Sequence, residues 1–250
     1  MFTGNAAHPR YPLVILWSPP RCRSTAFLRM MSARGDFSVV HEPFSHLKDF
    51  GVADVLGERL TNERDVIDTL FTCADRFPVF VKDTTDFHYP GVLEATDFLT
   101  CARHSIIVRH PREAIASHYR LNPDLSCEEV GFARVREIHD VAVSAGNPPV
   151  VVDADYLVDQ PEVTVRAYCR ALEIPFLPEA LAWQAEVLQG WQKTLHWHTE
   201  VAESTGFARS AGSTKTMTEI ENHPVLGDFY RHHLPHYQTL LSKRLPVQSL

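Results

Sequence analysis

A group of cationic and hydroxyl side chains follows directly after an apolar run near the start of the chain. The apolar run is LVILW at residues 13–17, and the next segment reads SPPRCRSTAF at residues 18–27. If a buried strand ends here and a helix begins near Ser24, unpaired backbone N–H groups face the turn together with the positive end of the helix. Arginine and hydroxyl side chains add donors that suit phosphate or sulfate oxygens. The segment therefore predicts an anion-binding loop, although a plain helix cap with solvated arginines is the simpler alternative.

The loop departs from the common phosphate-binding motifs. An ATP or GTP loop has the form GxxxxGK[ST], and this segment contains no glycine. A phosphatase loop would place an arginine six residues after its nucleophilic cysteine, and Leu28 occupies that position relative to Cys22. We therefore interpret Cys22 as lining the loop and not as a nucleophile. The predicted anion-binding residues are Arg21, Cys22, Arg23, Ser24, Thr25 and Ala26.

A second pair of a cation and a hydroxyl follows another apolar run. Residues 105–120 read SIIVRHPREAIASHYR, in which Arg109 ends the predicted strand and Pro111 suits the first turn of a helix. Ser117 comes two helical turns later, so that it could meet Arg109 at one phosphate. Two anion sites at the carboxyl ends of neighbouring parallel strands suit a nucleotide with phosphates at both ends of its ribose.

Both segments belong to an alternation of short apolar runs and longer amphipathic ones. The apolar runs lack polar alternation, which is typical of strands in a parallel sheet that is covered on both faces. We predict strands at residues 13–17, 37–40, 79–82, 105–109 and 150–152. We predict helices at residues 24–34, 63–76, 111–121, 126–145, 162–173, 178–190 and 225–243. The pattern indicates an α/β protein, with mobile loops at residues 191–224 that could cover an acceptor site.

Composition and charge argue against several classes of protein. The chain has 250 residues, of which 44% are hydrophobic, and a formal net charge of −7. Such a balance allows one sizeable core and argues against a nucleic-acid partner, because neutralising phosphates requires an excess of Lys and Arg. No run is long enough to span a bilayer and the first residues lack the features of a signal peptide, so we predict a cytoplasmic protein with no membrane partner. The five cysteines include no CxxC pair, which favours reduced thiols.

Three segments, taken in order, resemble the motifs of a known family. PPRCRSTAF at residues 19–27 resembles the 5′-phosphosulfate loop of sulfotransferases that use 3′-phosphoadenosine 5′-phosphosulfate (PAPS). VRHPREAIASHYR at residues 108–120 resembles their 3′-phosphate motif, and VVDADYLVDQPEVTVRAYCRALEIPF at residues 151–176 resembles a segment that supports the sheet. The resemblance implies one sulfotransferase-like domain over residues 1–250. It also implies a P-loop-like, three-layer α/β fold in which helices flank a central parallel sheet.

The same resemblance implies a chemistry. PAPS would donate its sulfuryl group by in-line displacement to a hydroxyl or amine of a small-molecule acceptor, leaving adenosine 3′,5′-bisphosphate and requiring no metal. Arg21 would hold the 5′-phosphate and stabilise the charge that develops there. Neither the identity of the acceptor nor the oligomeric state follows from the sequence.

Two departures from the family pattern affect the nucleotide site. Arg23 stands where the family commonly has glycine in the loop. The animal cytosolic members close the 3′-phosphate site with a C-terminal Arg-Lys-Gly segment, which this sequence lacks. By position alone, Arg209, Ser210 and Lys215 are candidates for that part of the site.

A general base is expected near the end of the second strand. By resemblance, Glu42 in VVHEPF is the first candidate and His41 is the second. In an alternative interpretation, Glu42 only pairs with a loop arginine and orients it. Lys82, which ends an apolar run, could reach the sulfate, whereas His88 comes too late in the sequence to match the catalytic histidine of the animal enzymes.

Two other functions remain open from the sequence. One is a small-molecule kinase that uses ATP and magnesium with a degenerate loop, and the other is a non-catalytic nucleotide-binding module. A metal site at His232, His233 and His236 is not expected, because Pro235 should interrupt the helix and no cysteine or carboxylate in the sequence clearly completes the set. HWHTE at residues 196–200 could line or cover an acceptor pocket.

Overall fold

Five parallel strands form the central sheet of the protein, whose computed structural model describes residues 11–188, 190–208 and 219–247. The spatial order of the strands is β2-β5-β1-β6-β7. In chain order they are β1 (Leu13–Ser18), β2 (Ser38–His41), β5 (Val79–Thr84), β6 (Arg103–Val108) and β7 (Val150–Asp153). A separate antiparallel pair, β3 (Ala53–Val55) and β4 (Glu58–Leu60), lies between β2 and β5 in the chain.

Helices connect the strands and cover the sheet. They are α1 (Ser24–Arg34), α2 (Pro43–Phe50), α3 (Glu63–Ala74), α4 (Pro90–Glu94), α5 (Thr96–Cys101), α6 (Pro111–Tyr119), α7 (Phe132–Ser144), α8 (Ala154–Asp159), α9 (Pro161–Leu172), α10 (Leu195–Ala202) and α11 (Leu226–Leu241). Short 3₁₀ helices occupy Glu128–Val130 and Pro178–Leu181. Of the helices in the described residues, none has the length and apolar character needed to cross a membrane.

The sheet is buried on both faces, as its uninterrupted apolar strands predict. On one face, Trp17 packs in a cluster with Ile67 of α3. On the other, Leu16 packs in a second cluster with Phe27 of α1 and Tyr168 of α9. The predicted α/β fold with helices on both sides of a parallel sheet is therefore confirmed.

The topology brings the carboxyl ends of all five strands to one edge. β1 pairs with β5 on one side and with β6 on the other. The chain leaves β1 toward β2 on the β5 side and continues later into β6 on the opposite side. A crevice forms at such a reversal, and ligands of parallel sheets typically bind there.

The predicted strands are all present within a few residues, but some predicted helices differ. The helix predicted at residues 126–145 begins only at Phe132, after the 3₁₀ turn. The helix predicted at residues 178–190 is wrong beyond Leu181, because Ala182 pairs with Gly206 and the backbone N–H of Trp183 bonds to Thr205. These contacts between distant segments override the local helical pattern.

Two further expectations are corrected at the end of the chain. The segment 191–224 contains helix α10 and not only loops. Helix α11 continues through Pro235, since its buried residues, including His233, Tyr237 and Leu240, anchor both halves to the core. Sequence analysis also missed α2, the β3–β4 pair and the short helices α4, α5 and α8.

Candidate active site

The predicted anion-binding loop connects β1 to α1 at the carboxyl edge of the sheet. Arg21 and Arg23 both adopt the left-handed conformation, with φ of 65° and 66°. This conformation costs a residue other than glycine about 1–2 kcal/mol, and such strain is concentrated at functional sites. Helix α1 begins at Ser24, and no side chain caps its N-terminus. The first N–H groups of α1 are therefore placed to bind an anion.

The structure brings the two predicted anion-binding segments together. Nε of Arg21 donates a hydrogen bond to Oγ of Ser117 at 3.1 Å. Nη1 of Arg109 lies 3.4 Å from the backbone oxygen of Arg21. The contact arises because β1 and β6 are neighbours, so that the loops following them share one crevice.

Carboxylates orient the guanidinium groups in this crevice. Nη1 of Arg23 lies 2.8 Å from Oδ1 of Asp155, and Nη2 of Arg109 lies 2.7 Å from Oε2 of Glu113. Burial lowers the pKa of the Arg21 guanidinium from its ordinary value, which means that its charge is partly desolvated. A bound polyanion would compensate that cost, so the residues present fit a ligand with several phosphate or sulfate oxygens.

The remaining loop residues have distinct environments. Cys22 is fully buried, and burial raises the pKa of its thiol to about 12, so it lines the loop as an uncharged group. Ser24 is buried, whereas Thr25 and Ala26 are partly exposed in the first turn of α1. The candidate 3′-phosphate residues Arg209, Ser210 and Lys215 lie outside the described residues.

A second group of polar side chains lies at the ends of β2 and β5. The backbone N–H of Glu42 donates to the Lys82 carbonyl at 2.7 Å, and Nζ of Lys82 forms an ion pair with Oε1 of Glu42. Glu42 thus pairs with Lys82 and not with a loop arginine. Burial opposes the ionisation of Glu42, but the charge and hydrogen bond of the Lys82 ammonium hold the pKa of the carboxyl well below its usual value.

Two histidines extend this group. Nε2 of His41 lies 3.4 Å from Oε2 of Glu42 and 3.1 Å from Nε2 of His198 on α10. Burial lowers the pKa of His41 well below its ordinary value and that of His198 to about 3, so both rings are neutral at pH 7. His88 lies elsewhere, half exposed and 3.6 Å from Glu137.

Sequence analysis missed His198 as a member of this group. Its segment, HWHTE, indicates an acceptor pocket only in general terms, because the contact with His41 depends on how α10 packs. The same helix reaches the anion-binding loop, since Nη1 of Arg21 donates to the Trp197 carbonyl at 2.7 Å. No local pattern predicts that one helix contacts both groups.

Asp83 is a further residue that sequence analysis missed. Its carboxylate accepts hydrogen bonds from the backbone N–H groups of Phe44 and Ser45 at 2.7 and 3.2 Å, and from Oγ of Ser45 at 2.6 Å. It therefore caps α2, the helix that begins directly after Glu42. Glu42 adopts φ of 50°, and this cap helps to hold it there.

A cavity of about 760 Å³ opens beside His41. The outer edge of β2, helix α2, the β3–β4 pair and the segment near Lys193 form its walls. Nδ1 of His41 is buried and has no hydrogen-bond partner in the part of the chain that the structure describes. The cavity is the candidate site for a second ligand next to the polar group.

Comparisons with known proteins identify the family and the fold of the chain. Residues 13–244 match the family model described as a sulfotransferase domain. The solved "Sulfotransferase Domain from the Curacin Biosynthetic Pathway" has a similar fold, with a TM-score of 0.54 at 16% identity over 95% of this chain and 100% of that chain.

Two curated proteins of Arabidopsis thaliana are also similar. Branched-chain-amino-acid aminotransferase-like proteins 1 and 2 are 30% and 29% identical to this chain over 94% of its length. The chain spans only 44% of each, so their names describe much longer proteins. The family match, in contrast, extends over most of this chain. The chain therefore belongs to the sulfotransferase domain family.

Proposed function

We propose that this protein transfers the sulfuryl group of PAPS to a hydroxyl or amine of a small molecule. The observation that carries the proposal is the hydrogen bond of 3.1 Å between Arg21 and Ser117, because it joins the two predicted anion-binding segments in one crevice. A nucleotide with phosphates at the 3′ and 5′ positions has the charge distribution that such a pair of sites requires.

The first turn of α1 and Arg21 would bind the 5′-phosphosulfate end, and Arg109 with Ser117 would bind the 3′-phosphate. Arg21 contacts Ser117 and the Trp197 carbonyl in the present structure, so its side chain must exchange these partners for the ligand. Since a guanidinium forms stronger hydrogen bonds to charged oxygens than to neutral ones, the exchange favours binding.

In the reaction, the acceptor oxygen or nitrogen forms a bond to sulfur while the bond from sulfur to the 5′-phosphate oxygen breaks. Negative charge gathers on that leaving oxygen, where the helix N-terminus and Arg21 would stabilise it. The proton of the acceptor must leave as the new bond forms, and a base on the protein receives it.

We propose that the pair of His41 and Glu42 supplies this base. His41 borders the cavity beside the site, so its ring can contact an acceptor. The Lys82 ammonium pairs with Oε1 of Glu42, and Oε2 lies 3.4 Å from Nε2 of His41, so Glu42 can stabilise an imidazolium that forms on His41. Lys82 would hold Glu42 in place and add positive charge near the transferred group.

The two other functions remain possible outcomes of experiment. A kinase that uses ATP and magnesium would need a lysine next to its metal-binding hydroxyl, and this loop has hydroxyls at Ser24 and Thr25 but arginine in place of the lysine. A non-catalytic module would need the anion site without the group at His41. The cytoplasmic location and the single domain over residues 1–250 stay predictions.

A screen for acceptors tests the proposed function. The protein is incubated with PAPS and a panel of hydroxyl and amine metabolites, and release of adenosine 3′,5′-bisphosphate is measured. We expect release that depends on a specific acceptor. Tight binding of the bisphosphate with no release for any acceptor would favour the non-catalytic module, and phosphate transfer from ATP would favour the kinase.

A further inference from the structure

Three metal-ligating atoms converge beside the proposed base. His41, Glu42 and His198 each offer one such atom, and these atoms all lie within 4.8 Å of one another. Two edges of this triangle are the 3.1 Å between the Nε2 atoms of the histidines and the 3.4 Å from Nε2 of His41 to Oε2 of Glu42. Ligands of a tetrahedral zinc ion at 2.0–2.1 Å stand about 3.3 Å apart. Both observed edges match that spacing.

The hydrogen bonding of the two rings leaves room for an ion. Only one proton can lie between the two Nε2 atoms, so one neutral ring must carry its proton on Nδ1. Nδ1 of both rings is buried and has no hydrogen-bond partner among the residues described. An ion bound to both Nε2 atoms would place the proton of each ring on Nδ1, where neither finds a hydrogen-bond partner among the described residues, so the pair suits weak, exchangeable binding.

The charges around the triangle also have to be compatible with a cation. The Lys82 ammonium lies on Oε1 of Glu42, which leaves Oε2 to face the histidines. Two imidazoles and one carboxylate are the ligand set of several zinc centres that keep an open position.

One other cluster among the described residues could compete for the ion. Cys127, His232 and His233 also place three ligand atoms within 4.8 Å, so the structure supplies the cysteine that sequence analysis could not assign to this histidine group. However, Nε2 of His233 lies 2.8 Å from the Cys127 carbonyl and forms a hydrogen bond there. That bond would have to break before the nitrogen could bind a metal. At the His41 cluster the hydrogen bond between the two Nε2 atoms must also break, but both atoms become ligands, so the ion replaces that contact without freeing a third group.

We propose that His41, Glu42 and His198 bind one divalent ion of the zinc class, and that the bound ion inhibits sulfuryl transfer. The inhibition rests on the proposed function, because the ion would occupy the Nε2 lone pair of His41 and remove the base. The binding itself does not depend on that function. Since the Nδ1 atoms lack the second partners that strengthen histidine–metal bonds, we expect reversible binding that a chelator removes.

Calorimetry with zinc chloride on the untagged protein, without nucleotide, tests the binding. We expect one ion per chain, and His198→Ala should weaken binding more than tenfold. His198→Gln repeats the test with a side chain closer in size in case the alanine variant is unstable. Cys127→Ser is the matched control and should bind zinc as the wild type does. Cobalt(II) should give the visible absorption of a tetrahedral site in the wild type and not in the His198 variants.

The rate of sulfuryl transfer to the acceptor identified in the screen gives a second test. Zinc should inhibit the wild type, EDTA should restore it, and His198→Ala should be resistant to zinc. Undetectable zinc binding at millimolar concentration, unchanged binding in both His198 variants, or loss of binding in Cys127→Ser would overturn the site. Zinc binding at His198 without inhibition would overturn the inhibitory role alone. Failure of the acceptor screen would leave the calorimetric result standing, so the two proposals fail separately.

Discussion

Arg21 and Ser117 are 96 positions apart in the chain, yet Nε of Arg21 lies 3.1 Å from Oγ of Ser117. Each residue belongs to a segment that was identified separately as a candidate anion site. Their contact follows from the pairing of β1 with β6, which places the ends of both strands side by side. The proposed donor site depends on this relationship.

The ion pair of Glu42 with Lys82 predicts a specific effect of Glu42→Gln. The variant should bind adenosine 3′,5′-bisphosphate normally, because Glu42 is not part of the anion-binding segments. Turnover should fall by about 100-fold or more, the usual contribution of acid–base groups. Steady-state kinetics with PAPS and the identified acceptor measure the effect.

Glu63→Gln is the matched control, since Glu63 is also buried and pairs with a lysine, Lys48, at 2.6 Å. This variant should keep its turnover. Unchanged turnover in Glu42→Gln would remove Glu42 from the catalytic group.

The close packing around Gly131 predicts that a substitution there lowers both the stability of the protein and nucleotide binding at the anion-binding loop. It has φ of 82°, and a Cβ atom there would lie 2.8 Å from the Thr85 carbonyl and 3.1 Å from Cδ of Pro20. Gly146 has φ of 81° with nothing within 4 Å of its Cβ position. Gly146→Ala should therefore lower the free energy of unfolding by the backbone cost alone, about 1–2 kcal/mol. Gly131→Ala should lower it further and also weaken nucleotide binding.

Urea unfolding and nucleotide calorimetry on both glycine variants check this prediction. Equal losses of stability, with nucleotide binding intact in both, would show that the segment at Gly131 does not support the loop.

Buried histidines predict a loss of stability in acid. Burial lowers the pKa of His104 from 6.5 to about 4. Between these two values the unfolded chain binds a proton that the folded chain excludes, so the free energy of unfolding falls as the pH falls. For one such histidine the slope is about 1.4 kcal/mol per pH unit. Burial raises the pKa of Asp83 to about 8, which gives a slope of the opposite sign.

The contribution of His104 is isolated by comparing wild type with His104→Gln. Glutamine can still accept from Trp17 and donate to the Phe98 carbonyl, the two partners of the His104 ring. The variant should lose stability less steeply than wild type between about pH 6.5 and 4 in urea unfolding. If the free energy of unfolding falls equally steeply with pH in both proteins, His104 is not a neutral, buried histidine.

The sequence was sufficient to predict the sheet and the approach of the Arg21 segment to the Ser117 segment, because both follow from where the apolar strands end. It was insufficient for His198, whose contact with His41 depends on the packing of α10 against a distant strand. The helix predicted at residues 178–190 failed for the same reason, since Ala182 pairs with Gly206. Contacts between segments far apart in the chain leave no periodic signal in either segment.

Calorimetry with three nucleotides, without magnesium, tests the proposed donor site most directly. The wild type should bind adenosine 3′,5′-bisphosphate more tightly than adenosine 5′-monophosphate or ATP. Arg109→Ala should weaken bisphosphate binding by about 1.5–3 kcal/mol, the loss of a charged hydrogen bond, and should leave monophosphate binding unchanged. Arg64→Ala, which removes an exposed arginine paired with Asp68 and Asp97, should change neither. Equal affinity for the bisphosphate and the monophosphate, or tighter binding of ATP once magnesium is added, would contradict the account.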